Sequence, residues 1–194
     1  MISEPQYDRL VQLIYEAAVE PQRWQDFLQA YAGASRSDMV ALLVQDLRGE
    51  HSNVDQTFGV DPSAQKAYNE YYASVNNWIV GHADAYVPGA ITNSIEFIGD
   101  SELQRTEYYT DFLRRNDWMY AHGCVIRRDE TMFSGITGVR NRRAGAFGDE
   151  ETGIFRRLMP HLQCAMRVHH RLAGLNAPGW KRSARLSTGC RRRS

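Results

Sequence analysis

The sequence predicts an α+β fold: one antiparallel sheet of roughly five strands, helices packed on its faces, and a long helix at the C-terminal end. Two paired apolar runs, residues 39–58 and 119–140, read as hairpins and imply the antiparallel sheet. Apolar stripes at helical spacing lie before, between and after those runs, and helices so striped need a sheet face to cover. The 194 residues, 43% apolar and 24% charged, suit one globular domain.

The elements follow in order. Ser3-Glu4-Pro5-Gln6 is a capping box, in which the serine oxygen and glutamine amide satisfy free donors at a helix start. Tyr7, Leu10, Val11, Ile14, Ala17 and Ala18 then repeat at helical spacing. A second helix begins at Pro21, where a missing N–H costs nothing, carries Trp24, Phe27, Leu28 and Tyr31 on one stripe, and is closed by Gly33 and Ser35. Residues 39–47 are apolar on both alternating faces, as in a strand covered on two sides. Arg48-Gly49-Glu50 supplies a turn to a partner strand over residues 51–58. Asp61-Pro62 caps a third helix with Tyr68, Tyr71, Tyr72 and Val75 on one face, stopped by Asn76-Asn77.

Residues 79–99, with Gly81, Pro88, Gly89 and Gly99, are expected to be loops around one short strand near residues 90–92. Ser101-Glu102-Leu103-Gln104 reads as another capping box, leading into a helix striped by Tyr109, Phe112 and Leu113. Residues 119–128 and 131–140 form the clearest hairpin, joined at Asp129-Glu130, and residues 141–148 are a loop. Asp149-Glu150-Glu151 places negative charge at the positive end of the long helix, whose stripe is Ile154, Leu158, Leu162, Ala165, Met166, His169 and Leu172. Pro160 within it predicts a kink or a fresh segment, and so a candidate hinge. The folded domain spans residues 1–175, and residues 176–194 are a basic, disordered tail.

Charge divides the same way. Residues 1–175 carry a net −6 and the tail +6, so the body is a poor ligand for phosphate backbones. Cys124, Cys164 and Cys190 are isolated and odd in number, as expected of reduced thiols in a cytoplasmic protein. Residues 1–5 lack a signal-peptide layout, and no apolar run approaches the ~20 residues that span a bilayer. The expectation is a cytoplasmic chain with no membrane partner.

No strong catalytic signature is present: no GxSxG, P-loop, GxGxxG after a strand or HExxH, and no histidine pair at helical ligand spacing. The expectation is no catalytic residue, no metal and no cofactor. An enzyme would require His122, Cys124 and a carboxylate to meet in a polar cleft. The aromatic usage is more pointed. Tyr68, Tyr72, Trp78, Tyr108, Tyr109, Phe112, Trp118 and Tyr120 crowd the middle of the chain and are the candidate ligand-binding residues, since rings with polar tips wall and orient a small molecule.

Several of these stretches resemble a family. Residues 13–18 (LIYEAA) with Glu20-Pro21-Gln22-Arg23-Trp24, then Tyr68, Tyr71 and Tyr72 before Asn76-Asn77-Trp78, are similar to the openings of proteobacterial LuxR-type regulators. Tyr108-Tyr109 before Asp111-Phe112-Leu113, Phe147-Gly148-Asp149-Glu150-Glu151, and residues 158–165 (LMPHLQCA) continue the likeness in the same order over residues 7–175. The resemblance implies a PAS/GAF-like sensor domain that docks an unidentified small molecule, forms a homodimer through its C-terminal helix, and regulates transcription through a helix-turn-helix. Asn77 departs from the family's proline, and the 20 residues after Gly174 are too few for a helix-turn-helix, so DNA is reached only through that missing domain. Acyl-homoserine-lactone receptors place tryptophan and tyrosine before an Asp-Pro; here Asp61-Pro62 precedes Tyr68 and Trp78. The competing expectation is a ligand-free dimerisation domain pairing through the stripe over residues 154–172.

Overall fold

The computed structural model describes residues 2–46, 54–130 and 132–176. The turn expected at Arg48-Gly49-Glu50 and the tail lie outside them.

Ser3 opens α1 (Glu4–Val19): the Gln6 backbone N–H donates to Ser3 Oγ (3.4 Å) and the Ser3 N–H to Gln6 Oε1 (2.9 Å), the reciprocal pair the sequence predicts. α2 (Trp24–Ser35) runs through Gly33 and ends at Ser35, one of the two residues expected to close it. It is capped by Arg36, whose left-handed backbone (φ +55°) lets Arg36 and Ser37 return their N–H groups to the Ala32 carbonyl.

β1 (Met39–Asp46), β2 (Val54–Phe58), β3 (Ile91–Asn93), β4 (Tyr120–Arg128) and β5 (Met132–Arg140) form one antiparallel sheet in the order β2-β1-β5-β4-β3. The five-stranded antiparallel expectation holds, with β1 and β5 interior because both hairpins pair with each other. β3 begins one residue later than predicted.

Two middle helices depart from their predicted stripes. α3 (Pro62–Glu70) is capped by Asp61, which accepts the Ser63 N–H (2.8 Å), and ends at Glu70. Tyr71 leaves helical geometry and turns outward to donate to Glu107 (2.7 Å), and residues 72–75 tighten into a 3-10 turn. The tyrosines therefore do not share one helical face. Ser101 does not cap: Gly99 precedes the short α4 (Asp100–Leu103), and Thr106 bridges the break, donating to the Leu103 carbonyl and accepting the Tyr109 N–H. A π-helical turn, Tyr108–Leu113, follows and buries Tyr108, Phe112 and Leu113, leaving Tyr109 half-buried where the stripe predicted it inside.

α5 (Asp149–Asn176) continues unbroken through Pro160, which sits on the exposed side of the helix with Arg156, the residue whose carbonyl loses its donor. Its stripe from Ile154 to Met166 is buried against α1, α2 and the sheet. His169 is half-buried and Leu172 37% exposed, so the predicted stripe is buried within the chain up to Met166.

The sheet thus separates two apolar clusters. Val40, Leu42, Cys124, Ile126 and Ile136 face α1, α2 and α5. Ala121 and Val139 face Trp78, Tyr108, Phe112 and Trp118, supplied by the segments between β2 and β4.

Candidate functional site

The register lays a row of small residues across all five strands. Thr57 on β2 is opposite Ala41 on β1, Ala41 opposite Thr137 on β5, Thr137 opposite Gly123 on β4, and Gly123 opposite Thr92 on β3. Side chains alternate across a strand, so this row shares the face turned away from α5. The rows beside it, Leu43–Gly135–Val125 and Met39–Val139–Ala121, carry bulkier side chains at Leu43, Val125, Met39 and Val139.

Over this floor stand aromatic rings that hold one another up. Phe112 stacks on Tyr72 (4.7 Å between centroids) and Tyr108 (5.7 Å) and meets Trp118 edge-on (5.7 Å), while Trp78 meets Tyr108 edge-on (5.5 Å). Rings braced in this way cannot drop onto the small residues beneath. Between roof and floor lies a cavity of about 90 Å³, counted as space open to the centre of a water molecule. One water needs about 10–15 Å³ on that measure, so a small organic molecule has room.

The lining is apolar with a few convergent polar tips. Tyr68 accepts from Asn76 Nδ2 (3.0 Å), Asn76 Oδ1 accepts the Trp78 backbone N–H (2.9 Å), and Tyr86 donates to the Trp78 carbonyl (2.8 Å). The Tyr108 hydroxyl makes no hydrogen bond to another described residue, and the Trp78 indole N–H is buried without a partner among them. Burial pushes the Tyr68, Tyr86 and Tyr108 phenols up, and at Tyr108 the nearby Tyr68 and Tyr86 phenols add to it, so all remain neutral. None of the described lining residues is Asp, Glu, Lys or Arg.

Of the predicted ligand-binding residues, Tyr68, Trp78, Tyr108, Phe112 and Trp118 line the cavity. Tyr72 stands behind Phe112, Tyr109 packs half-buried at the edge of the cluster, and Tyr120 donates its hydroxyl to Asp100 (2.7 Å); these three are not part of the wall. Sequence reasoning missed Tyr86 and Phe97, which sit in the stretch read as loops, and the whole floor. The alternation Ala121, Gly123 on one strand and Gly135, Thr137 on its partner is the signal that marks the floor.

His122 and Cys124 do not form a polar cleft. The His122 ring stacks on Phe147 (3.8 Å, 7° between planes) and lies near Tyr31 and Phe155, on the α5 side. Burial, helped by Arg140, depresses its imidazole to about 3, and burial pushes the Cys124 thiol up to about 12. Arg140 beside it is buried with Glu151 (3.0 Å) and lies 4.0 Å over the Phe147 ring. Among the described residues no group of three or more His, Cys, Asp or Glu gathers as a metal site, and no helix is long and apolar enough to cross a membrane.

The chain matches no family of known sequences and no curated protein. Its fold is shared. The VqsR LBD domain from Pseudomonas aeruginosa superposes with a TM-score of 0.67 at 15% identity, over 85% of this chain and 96% of that one. The GAF domain of a phosphoenolpyruvate-protein phosphotransferase from Coxiella burnetii gives 0.60 at 15% identity, over 89% and 99%. Free methionine-R-sulfoxide reductase from Neisseria meningitidis gives 0.53 at 10% identity, over 89% and 96%. The fold is GAF-like.

Proposed function

We propose that residues 1–175 are the ligand-sensing domain of a LuxR-type transcription regulator, a binding module rather than an enzyme, in which a small molecule occupies the cavity over the sheet. The observation that carries this reading is the row of small residues beneath a self-bracing aromatic roof, which leaves a void where a merely structural domain would fill the space with side chains. The ordered motif likeness over residues 7–175 supports the regulatory setting, as does the fold likeness to a domain named as an LBD. DNA reading belongs to a helix-turn-helix outside this domain. A neutral His122 and a protonated Cys124, which border the cavity but pack toward α5, support binding over catalysis.

The test is thermal shift against a metabolite library, with Ala41→Ile as the blocked control. A true ligand at a hundred times its Kd adds about 2.7 kcal/mol to the wild type. That corresponds to several degrees in Tm, and Ala41→Ile loses the response. Equal shifts in both proteins, or none in either, defeat the proposal.

A further inference from the structure

The cavity's polar groups constrain its guest. Four of the residues that line it carry protonated donors: the Tyr68, Tyr86 and Tyr108 hydroxyls and the Trp78 indole N–H. One of them is already committed, Tyr86 to the Trp78 carbonyl, while Tyr68 accepts from Asn76 Nδ2 and keeps its own proton available. The Trp78 N–H is buried without a partner among the described residues, a standing cost that an acceptor on the guest removes, and the Tyr108 hydroxyl, whose ring meets Trp78 edge-on, is uncommitted as well. No described lining residue carries a charge, so an ionised guest would exchange its hydration for a site without a counter-ion. The floor opposite the roof is low and bare of large side chains along its middle row, which admits a flat body.

Resting on the reading of this cavity as a ligand site, we infer that its ligand is an uncharged, flat, largely apolar molecule that presents an oxygen acceptor to the Tyr108 hydroxyl and the Trp78 indole, and that the site rejects anions and cations of the same shape. Neutral ketones, amides and esters of aromatic ring systems are the chemical class that fits. Carboxylates and amines are the class excluded, since neither Arg nor Asp stands ready to pair with them.

A shape-matched probe series isolates the charge rule. Naphthamide, naphthoate and naphthylmethylammonium, with naphthalene as the bare hydrocarbon, are titrated against the full chain while the Trp78 indole N–H resonance is followed by nitrogen-proton NMR. The expected result is a shift of that resonance and an affinity for the amide about tenfold or more above that for either ion. Tyr108→Phe, which removes one oxygen from the roof, weakens the amide by about tenfold and leaves naphthalene unchanged, as loss of one hydrogen bond of about 1.4 kcal/mol requires. If naphthoate or the ammonium binds as well as the amide, the charge rule is overturned while the cavity stands as a site. If none of the probes, naphthalene included, moves the cavity resonances, the site reading falls and the inference falls with it.

Discussion

At the scale of single residues, the buried pair of Arg140 and Glu151 carries the sharpest consequences. Arg140 donates to Glu151 (3.0 Å) and to the carbonyls of Gly145 (2.8 Å) and Ala146 (2.6 Å), so its charge is fully engaged. Burial alone would raise the Glu151 carboxyl, but the Gly148 N–H and the Arg140 guanidinium outweigh it and hold it near 2. Glu151→Gln strands the cation in the interior, and urea denaturation is expected to show a loss of about 3–5 kcal/mol. Acid acts through the same neighbourhood. Glu151 (about 2, against an ordinary 4.5) and His122 (about 3, against 6.5) both have depressed folded values, so the unfolded chain binds protons first. The contribution of these two groups is complete above pH 6.5 and declines below it, first through His122 and from 4.5 downward through Glu151 as well. The slope is about 1.4 kcal/mol per pH unit for each group in its window. A urea midpoint series from neutral pH to pH 4.5 measures the His122 part, and His122→Gln should flatten it. At this scale the aromatic residues were legible and their individual duties were not. Tyr120 and Tyr108 look alike in sequence, yet Asp100 claims one hydroxyl and leaves the other unclaimed.

At the scale of elements, apolar spacing identified α1, α2, both hairpins and α5, because each buries one continuous stripe or face. It failed at the joints between α3 and β4, where local bonds from Thr106, Asn76 and Tyr71 override periodicity. The π turn is the clearest case. One extra residue in the turn moves Tyr108 inward and Tyr109 outward, a displacement no spacing rule contains. Pro160 shows the reverse: the helix runs through it without starting a fresh segment. Because it is exposed and the helix continues around it, Pro160→Ala restores a backbone donor without opening a void. That variant is expected to gain about 1–3 kcal/mol, read as a raised Tm. Leu158 is fully buried between α5 and the core, so Leu158→Ala is expected to destabilise the monomer by about 2–5 kcal/mol. If the stripe instead served a second copy, light scattering would show the variant dissociating with its fold intact.

At the scale of the whole molecule, the α+β class and the antiparallel sheet were readable from two hairpins and their flanking stripes, since no other layer arrangement covers them. The cavity was half readable: the roof announces itself as aromatic clustering, whereas the floor exists only once five strands are set in register. With the tail left out of account, the body's net −6 leads us to expect that residues 1–175 do not shift promoter fragments in a gel at physiological salt.

The middle rank of the sheet also bears on how such a protein changes its preferences. A Cβ at Gly123 would come within 3.0 Å of the Ile136 carbonyl and 3.3 Å of the Thr92 and Thr137 hydroxyls, so a side chain there requires its neighbours to give by a few tenths of an ångström. Thr57, Ala41, Thr137 and Thr92 point to the same side and are not so confined by strand geometry. Lengthening any of them shortens the berth for a guest while leaving untouched the opposite surface on which α5 rides. On the proposed reading of the cavity as a ligand site, substitutions in this row retune what is admitted, one strand at a time, with α5 still seated as before.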